Sequence, residues 1–201
     1  MNKLLIAVFL LFGTFTVNAL DVKVGKEAPD FTLKSSMGKT LTLSSLRGKT
    51  VMLEWTNHGC PYVKKHYNSG NMQKTQKALT DDGVVWLSII SSAPGKQGYV
   101  SAEEANDLSS SRGVYSSHVL LDPTGKVGKL YNAKTTPEMF LIDPKGTIQY
   151  MGAIDDKPSA RPSSLKGATN YALNAWKSFK EDKEISPNTT KPYGCSVKYA
   201  D

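Results

Sequence analysis

The stretch that most constrains this chain runs from Val51 to Val63, Val-Met-Leu-Glu-Trp-Thr-Asn-His-Gly-Cys-Pro-Tyr-Val. Its first five residues are mostly apolar and show little alternation, which predicts a strand covered on both faces. A short polar turn follows. Cys60 then stands before Pro61, a residue suited to the first helical position because its missing N–H would be unpaired there anyway. The stretch therefore reads as strand, loop and helix, with Cys60 at the helix start. The partial positive charge and the free N–H groups at a helix N-terminus favour thiolate over thiol. The chain holds one other cysteine, Cys195.

The redox surroundings of these sulfurs follow from the first residues. Lys3 precedes the apolar run Leu4 to Phe12, and Val17-Asn-Ala19 offers a cleavage site after Ala19. This predicts a secretory signal over residues 1–19, too short to serve as a bilayer span of roughly 20 apolar residues. The expected location is periplasmic or secreted, with no membrane attachment after cleavage. Losing Lys3 lowers the formal charge from +7 to +6. The remaining charge is spread without a basic run, which argues against a nucleic-acid partner. In an oxidising compartment two cysteines form a structural disulfide, a redox-active pair or part of a metal site. The position of Cys60 favours the redox pair.

Residues 20–185 read as one domain and residues 186–201 as an extended tail carrying Cys195. Phe31-Thr-Leu33, the turn Met37-Gly-Lys39 and Thr40-Leu-Thr-Leu43 predict a hairpin. A helix bent near Asn68-Ser-Gly-Asn71 follows Cys60. Val84 to Ile90 is a second buried strand, so strand, helix and strand form a βαβ unit with parallel strands. Ser101-Ala-Glu-Glu104 has capping-box spacing and starts another helix. Val119 to Asp122 reads as a strand, Val127 to Tyr131 as a helical turn, and Phe140 to Met151 as a hairpin. A long helix is expected to carry Leu165, Ala168, Ala172, Ala175, Trp176 and Phe179 on one face. The order predicts an α/β domain: a central mixed sheet, helices on both faces and an N-terminal β-hairpin.

These residues resemble the thioredoxin fold, and within it the redoxin branch of alkyl hydroperoxide reductase and thiol-specific antioxidant proteins, over about Val24 to Asp155. Gly25-Lys-Glu-Ala-Pro-Asp-Phe-Thr-Leu33 with Gly38-Lys39 is similar to the branch's entry hairpin, and Leu46-Arg-Gly-Lys49 to its lead-in. Cys60 falls where thioredoxin-like proteins carry the first cysteine of Cys-x-x-Cys. Thr136-Pro137 matches the cis-proline loop that faces it. The tail Pro192-Tyr-Gly-Cys-Ser-Val-Lys-Tyr199 looks like that of a peroxiredoxin-like bacterial subgroup. Val63 stands where the second cysteine would be. Leu53 and Asn57 occupy the positions of the Pro and Thr of the peroxiredoxin signature, with Thr56 one residue out of register.

The resemblance implies an exported thiol–disulfide oxidoreductase or antioxidant enzyme. Its expected partners are a protein disulfide or peroxide substrate and a thiol reductant protein, and it requires no cofactor. Cys60 is the expected nucleophile, with Lys64 or Lys65 nearby to lower its pKa. Cys195 on a mobile tail is the expected resolving thiol, or else the partner of Cys60 in a permanent disulfide, with an unpaired or intermolecular Cys195 as a third option. Closing so long a loop stabilises by about 4–5 kcal/mol in the chain-entropy model. Glu54 either shuttles protons from a desolvated position or points to solvent at a strand edge. Thr136, Pro137, Pro61 and Tyr62 are expected around the substrate, Thr136 pairing with an incoming strand. Trp55 is expected to pack near the site, and His66 and His118 to be surface or core residues. Two other readings stay open: a copper-binding assembly protein using His58, Cys60, Cys195 and Met139, and a redox-silent module that binds through the cis-proline groove.

Overall fold

The computed structural model describes residues 22–200. The expected signal segment, residues 1–19, lies outside them. In chain order the elements are β1 (Thr32–Ser35), β2 (Thr40–Thr42), β3 (Val51–Trp55), α1 (Pro61–Asn68), α2 (Asn71–Asp81), β4 (Val85–Ile90), α3 (Ala102–Arg112) and β5 (His118–Leu121). These are followed by α4 (Lys126–Leu130), β6 (Thr135–Thr136), β7 (Glu138–Ile142), β8 (Ile148–Gly152), α5 (Tyr171–Lys180) and β9 (Cys195–Ser196). Among the described residues no helix is long and apolar enough to cross a membrane.

Seven strands form one mixed sheet in the order β2-β1-β5-β4-β3-β7-β8. The strands β3, β4 and β5 are parallel, as a βαβ path requires, while β1 and β7 join them antiparallel. The whole of β3 is buried, and the run Val51–Trp55 lies inside the sheet between β4 and β7. Its side chains alternate between two cores. Val51, Leu53 and Trp55 pack with Leu87, Ile89, Phe140, Tyr131 and Val127 of α4. Met52 enters the opposite core with Trp86, Leu141, Cys60, Val63 and residues of α1, α2 and α5. Trp55 is therefore placed away from Cys60, against the expectation that it packs near the site. Its ring lies 5.3 Å from Phe140 and 5.2 Å from Tyr131.

The chain breaks between α1 and α2 where expected. Ser69 ends the first helix, and Gly70 takes the left-handed conformation at φ 74° before the second. The C-terminal helix corrects its expectation. Leu165 belongs to a separate 3-10 turn, Pro162–Leu165, and the helix starts only at Tyr171. Asn170 decides the start: its side-chain carbonyl accepts the Leu173 N–H at 2.9 Å, a side-chain N-cap.

The tail beyond Ile185 is extended and held against the domain. Met151 N–H donates to Asn188 O at 3.1 Å, and Thr190 N–H donates to Met151 O at 3.0 Å. Val197 N–H donates to Lys134 O at 3.0 Å, and Ala93 N–H to Lys198 O at 2.8 Å. The Val197 side chain is buried in the core. Strand β9, two residues long, pairs antiparallel with β6. So short a pairing leaves no periodic trace in a sequence.

Truncating Phe140 to Ala removes a fully buried ring at the junction of Trp55 and Tyr131. The expected cost is about 3–5 kcal/mol, read as a lowered midpoint in denaturant unfolding at unchanged slope.

Candidate active site

Local hydrogen bonds fix the loop that delivers Cys60. The Asn57 side chain accepts the Gly59 N–H at 2.8 Å, and the Asn57 carbonyl accepts the Cys60 N–H at 3.0 Å. Cys60 is then the N-cap of α1, in extended backbone at φ −71° and ψ 126°, with Pro61 at the first helical position. Its side chain is fully buried. Facing it is the loop before β7, in which the Thr136–Pro137 bond is cis. The thiol of Cys60 donates to Thr136 O at 3.2 Å. A buried carboxylate shapes this loop, for Glu138 accepts the N–H groups of Lys134 and Thr135 at 2.8 and 3.0 Å. Burial pushes the Glu138 carboxyl up, partly offset by those two donors.

The chain's own tail completes the site. In the pairing of β9 with β6, Cys195 lies opposite Thr136 and Ser196 opposite Thr135. Gly194 makes this approach possible. Its φ is +143°, and a Cβ there would stand 2.0 Å from Thr136 O. Only a residue without a side chain lets the strand come so close. Cys60 and Cys195 are both free thiols and in direct contact, each entering the other's hydrogen bonding.

Their acidities are driven apart. Burial pushes the Cys60 thiol up, but the Cys195 thiol and N–H, the Val63 N–H and the Thr136 hydroxyl outweigh it and bring Cys60 below the ordinary value. As a thiol, Cys60 makes no formal cap bond to α1, yet the Val63 N–H is near enough to favour an anion there. The buried Thr136 hydroxyl has no other partner and is a donor held free beside the sulfur. Cys195 moves the opposite way: burial, with the hydrogen bond and charge of Cys60, pushes it up to about 11. The two sulfurs titrate as an interacting pair in which Cys60 is the more acidic.

Several expected contributors lie elsewhere. Glu54 is fully buried, not at a solvent edge, on the same face of β3 as Met52, but its hydrogen bonds go elsewhere than to the sulfur. Its carboxylate accepts from Tyr67 Oη at 2.9 Å, Trp86 Nε1 at 2.9 Å, Ser88 Oγ at 3.0 Å and Gln76 Nε2 at 3.2 Å. Four donors saturate it, and none is Cys60. Lys65 also turns away, into a buried cluster with Asp155 and Tyr193. Lys64 is exposed and acts on His58. Neither lysine contributes to the Cys60 shift. His58 is half-buried, and burial, then Arg112, lowers its pKa. Among the described residues no three His, Cys, Asp or Glu side chains form a group that could hold a metal, so His58 does not join the two cysteines. Met139 lies in the core that contains Cys60. Pro61 is exposed at the helix start, and Tyr62 is half-buried with its ring 5.8 Å from Tyr193. Thr136 and Pro137 are buried, so the edge expected to be open to an incoming strand is occupied by Cys195.

Comparison with known proteins places this architecture. The profile of the AhpC/TSA family matches residues 24–151. The chain belongs to the AhpC/TSA family. Within that span lie Cys60, the cis-proline loop and most of the sheet, whereas the Cys195 tail lies beyond it. The chain is 26% identical over 140 residues to the thioredoxin-like protein YneN of Bacillus subtilis, covering 69% of this chain and 76% of that one. It is 28% identical over 140 residues to the thiol-disulfide oxidoreductase ResA of Bacillus subtilis, covering 70% and 73%. The fold is similar to the crystal structure of an uncharacterized conserved protein from Geobacillus kaustophilus, at TM-score 0.75 and 24% identity, covering 90% and 94%.

The split acidities predict a two-step thiol titration. Because a thiolate absorbs at 240 nm and a thiol does not, raising the pH is expected to ionise Cys60 below the ordinary thiol range and Cys195 only near pH 11. Cys195→Ala is expected to remove the upper step and to raise the lower one, since the side-chain donor is lost. Two overlapping steps at the ordinary value would contradict the assignment.

Proposed function

We propose that this protein is a thiol–disulfide oxidoreductase in which Cys60 is the nucleophile and Cys195 the resolving thiol. The observation that carries this reading is the direct contact of the two sulfurs with their acidities shifted in opposite directions. The family supplies the scaffold, and the tail replaces the cysteine that Val63 lacks. The Cys60 thiolate attacks one sulfur of a substrate disulfide. A mixed disulfide forms, and the other substrate sulfur leaves as a thiolate. Once Cys60 is bonded its charge is gone, and with it the share of the Cys195 shift that Cys60 adds to that of burial. Cys195 loses its proton and attacks the Cys60 sulfur. The Cys60–Cys195 bond forms, the second substrate thiolate leaves, and the substrate has gained two electrons. A dithiol reductant protein returns the pair to thiols. Thr136 and Pro137 support the approach of the partner chain once β9 lifts, with Pro61 and Tyr62 at the rim. Glu54 in this scheme is a saturated internal charge that fixes α1 and α2 to β3 and β4. The sequence pattern of residues 1–19, read as a secretory signal, supports export to the periplasm or beyond.

Peroxide is the second substrate class, favoured by the complete burial of Cys60, which a small oxidant overcomes more readily than a protein. There the thiolate takes one oxygen, becomes a sulfenic acid and releases water or alcohol, and Cys195 condenses with it, releasing water.

The test is reduction of a protein disulfide with a dithiol as electron source, beside peroxide consumption under the same conditions. Wild type is expected to turn over the disulfide. Cys60→Ser is expected to fall to background, and Cys195→Ser to stop after one turnover as a trapped mixed disulfide. Peroxide consumption without disulfide reduction would favour the second class. Full activity in Cys60→Ser would refute both.

A further inference from the structure

Two residues before Cys195, the tail inserts Tyr193 into a buried polar cluster. Lys65, His66 and Asp155 are each almost fully buried. The Tyr193 hydroxyl donates to Asp155 Oδ1 and accepts from Lys65 Nζ at 2.9 Å. It also stands 3.3 Å from His66 Nε2. Asn71 Nδ2 donates to His66 Nδ1 at 2.8 Å, which leaves the proton of the ring on Nε2, directed at Tyr193. Lys65 Nζ further donates to Lys157 O at 2.8 Å and pairs with Asp155 Oδ2 at 3.4 Å. The ammonium lies 5.0 Å from the centre of the Tyr193 ring, and the Tyr62 ring abuts it from outside. One hydroxyl from the tail thus meets three side chains of the domain, two of them on α1, the helix that Cys60 caps.

We propose that Tyr193 is the positioning residue of the cysteine pair: its hydroxyl latches the tail to α1 and Asp155, sets the register of β9 on β6, and keeps Cys195 against Cys60. The inference rests on the reading of these cysteines as a working pair and names the group that governs their encounter. Its physical basis is that the cluster buries a cation and an anion, and polar groups buried without partners are costly. With the tail in place the hydroxyl satisfies all three neighbours. Lifting the tail leaves Lys65, His66 and Asp155 each one partner short. The tail therefore closes over Cys60 unless something competes for it. Because Lys65 and Tyr193 flank the two cysteines at offsets of five and two residues, a small slip at the latch becomes a shift of Cys195 along β6.

Tyr193→Phe keeps the ring contacts with Tyr62 and Lys65 and deletes only the hydroxyl. On the reduced, mature protein we would measure the alkylation rate of Cys60 and the amide exchange of Val197, whose N–H is bonded to Lys134 O. Both are expected to rise about tenfold or more in Tyr193→Phe, the loss of hydrogen bonds from a hydroxyl to charged partners. Amides of β3, read in the same samples, are expected to stay protected. Tyr62→Leu removes only the outer ring and is expected to raise both rates by a smaller factor, which keeps the test open should Tyr193→Phe fold poorly. Unchanged rates in both variants overturn the proposal. So does release of the tail by Tyr193→Ala with Tyr193→Phe silent, because the ring alone would then hold it. Neither readout needs the Cys60–Cys195 bond to form. Its absence from oxidised wild type would overturn the functional reading and leave the latch standing.

Discussion

A sulfur removed from water ionises only if donors replace the hydration it has lost. Cys60 meets this condition at the one place where the domain and its own tail touch. The first turn of α1 supplies one donor and the cis-proline loop another. The remaining ones come from Cys195, more than a hundred residues away in sequence. The other features of the site serve that convergence. The interior strand β3 brings Cys60 to the end of the sheet. Glu138 folds the loop that faces it. Gly194 allows the tail backbone within reach of Thr136, and Tyr193 holds it there.

The result differs from a Cys-x-x-Cys site in one physical respect. When both cysteines sit on one helix turn, their encounter is fixed by the helix. Here it depends on a strand of two residues and a polar latch. Reactivity and access are then coupled: the tail that lowers the acidity barrier of Cys60 also covers it. A partner that enters must displace donors that make the sulfur nucleophilic, and those donors return when the tail closes to resolve the intermediate.

Much of the scaffold was legible because it follows from local rules. The buried run Val51 to Trp55, the Cys60–Pro61 helix start, the capping box at Ser101 and the break at Gly70 all appear in the structure where the sequence points to them. The C-terminal helix is shorter than its periodicity suggests because Leu165 and Ala168 fall in phase with Ala172 by chance, and Asn170 caps a later start. At the site the two cysteines and the cis-proline loop were legible, and what surrounds them was not. Lys65 looks like any helix-surface lysine, and only the fold shows Asp155 waiting for it. Glu54 carries no mark of the four donors around it, which come from α1, α2 and β4. The pairing of Cys195 with Thr136 crosses 59 positions through two residues, which no periodic pattern records.

The central claim is that Cys60 and Cys195 form one reversible redox couple within the folded chain. Peptide mass mapping of the mature protein, oxidised without denaturant and then treated with a dithiol, tests it most directly. The account predicts a cross-linked peptide pair joining Cys60 to Cys195 after oxidation, lost on reduction while the fold persists. Oxidation that leaves both cysteines as separate peptides, or a bond that yields to reductant only after unfolding, would contradict it.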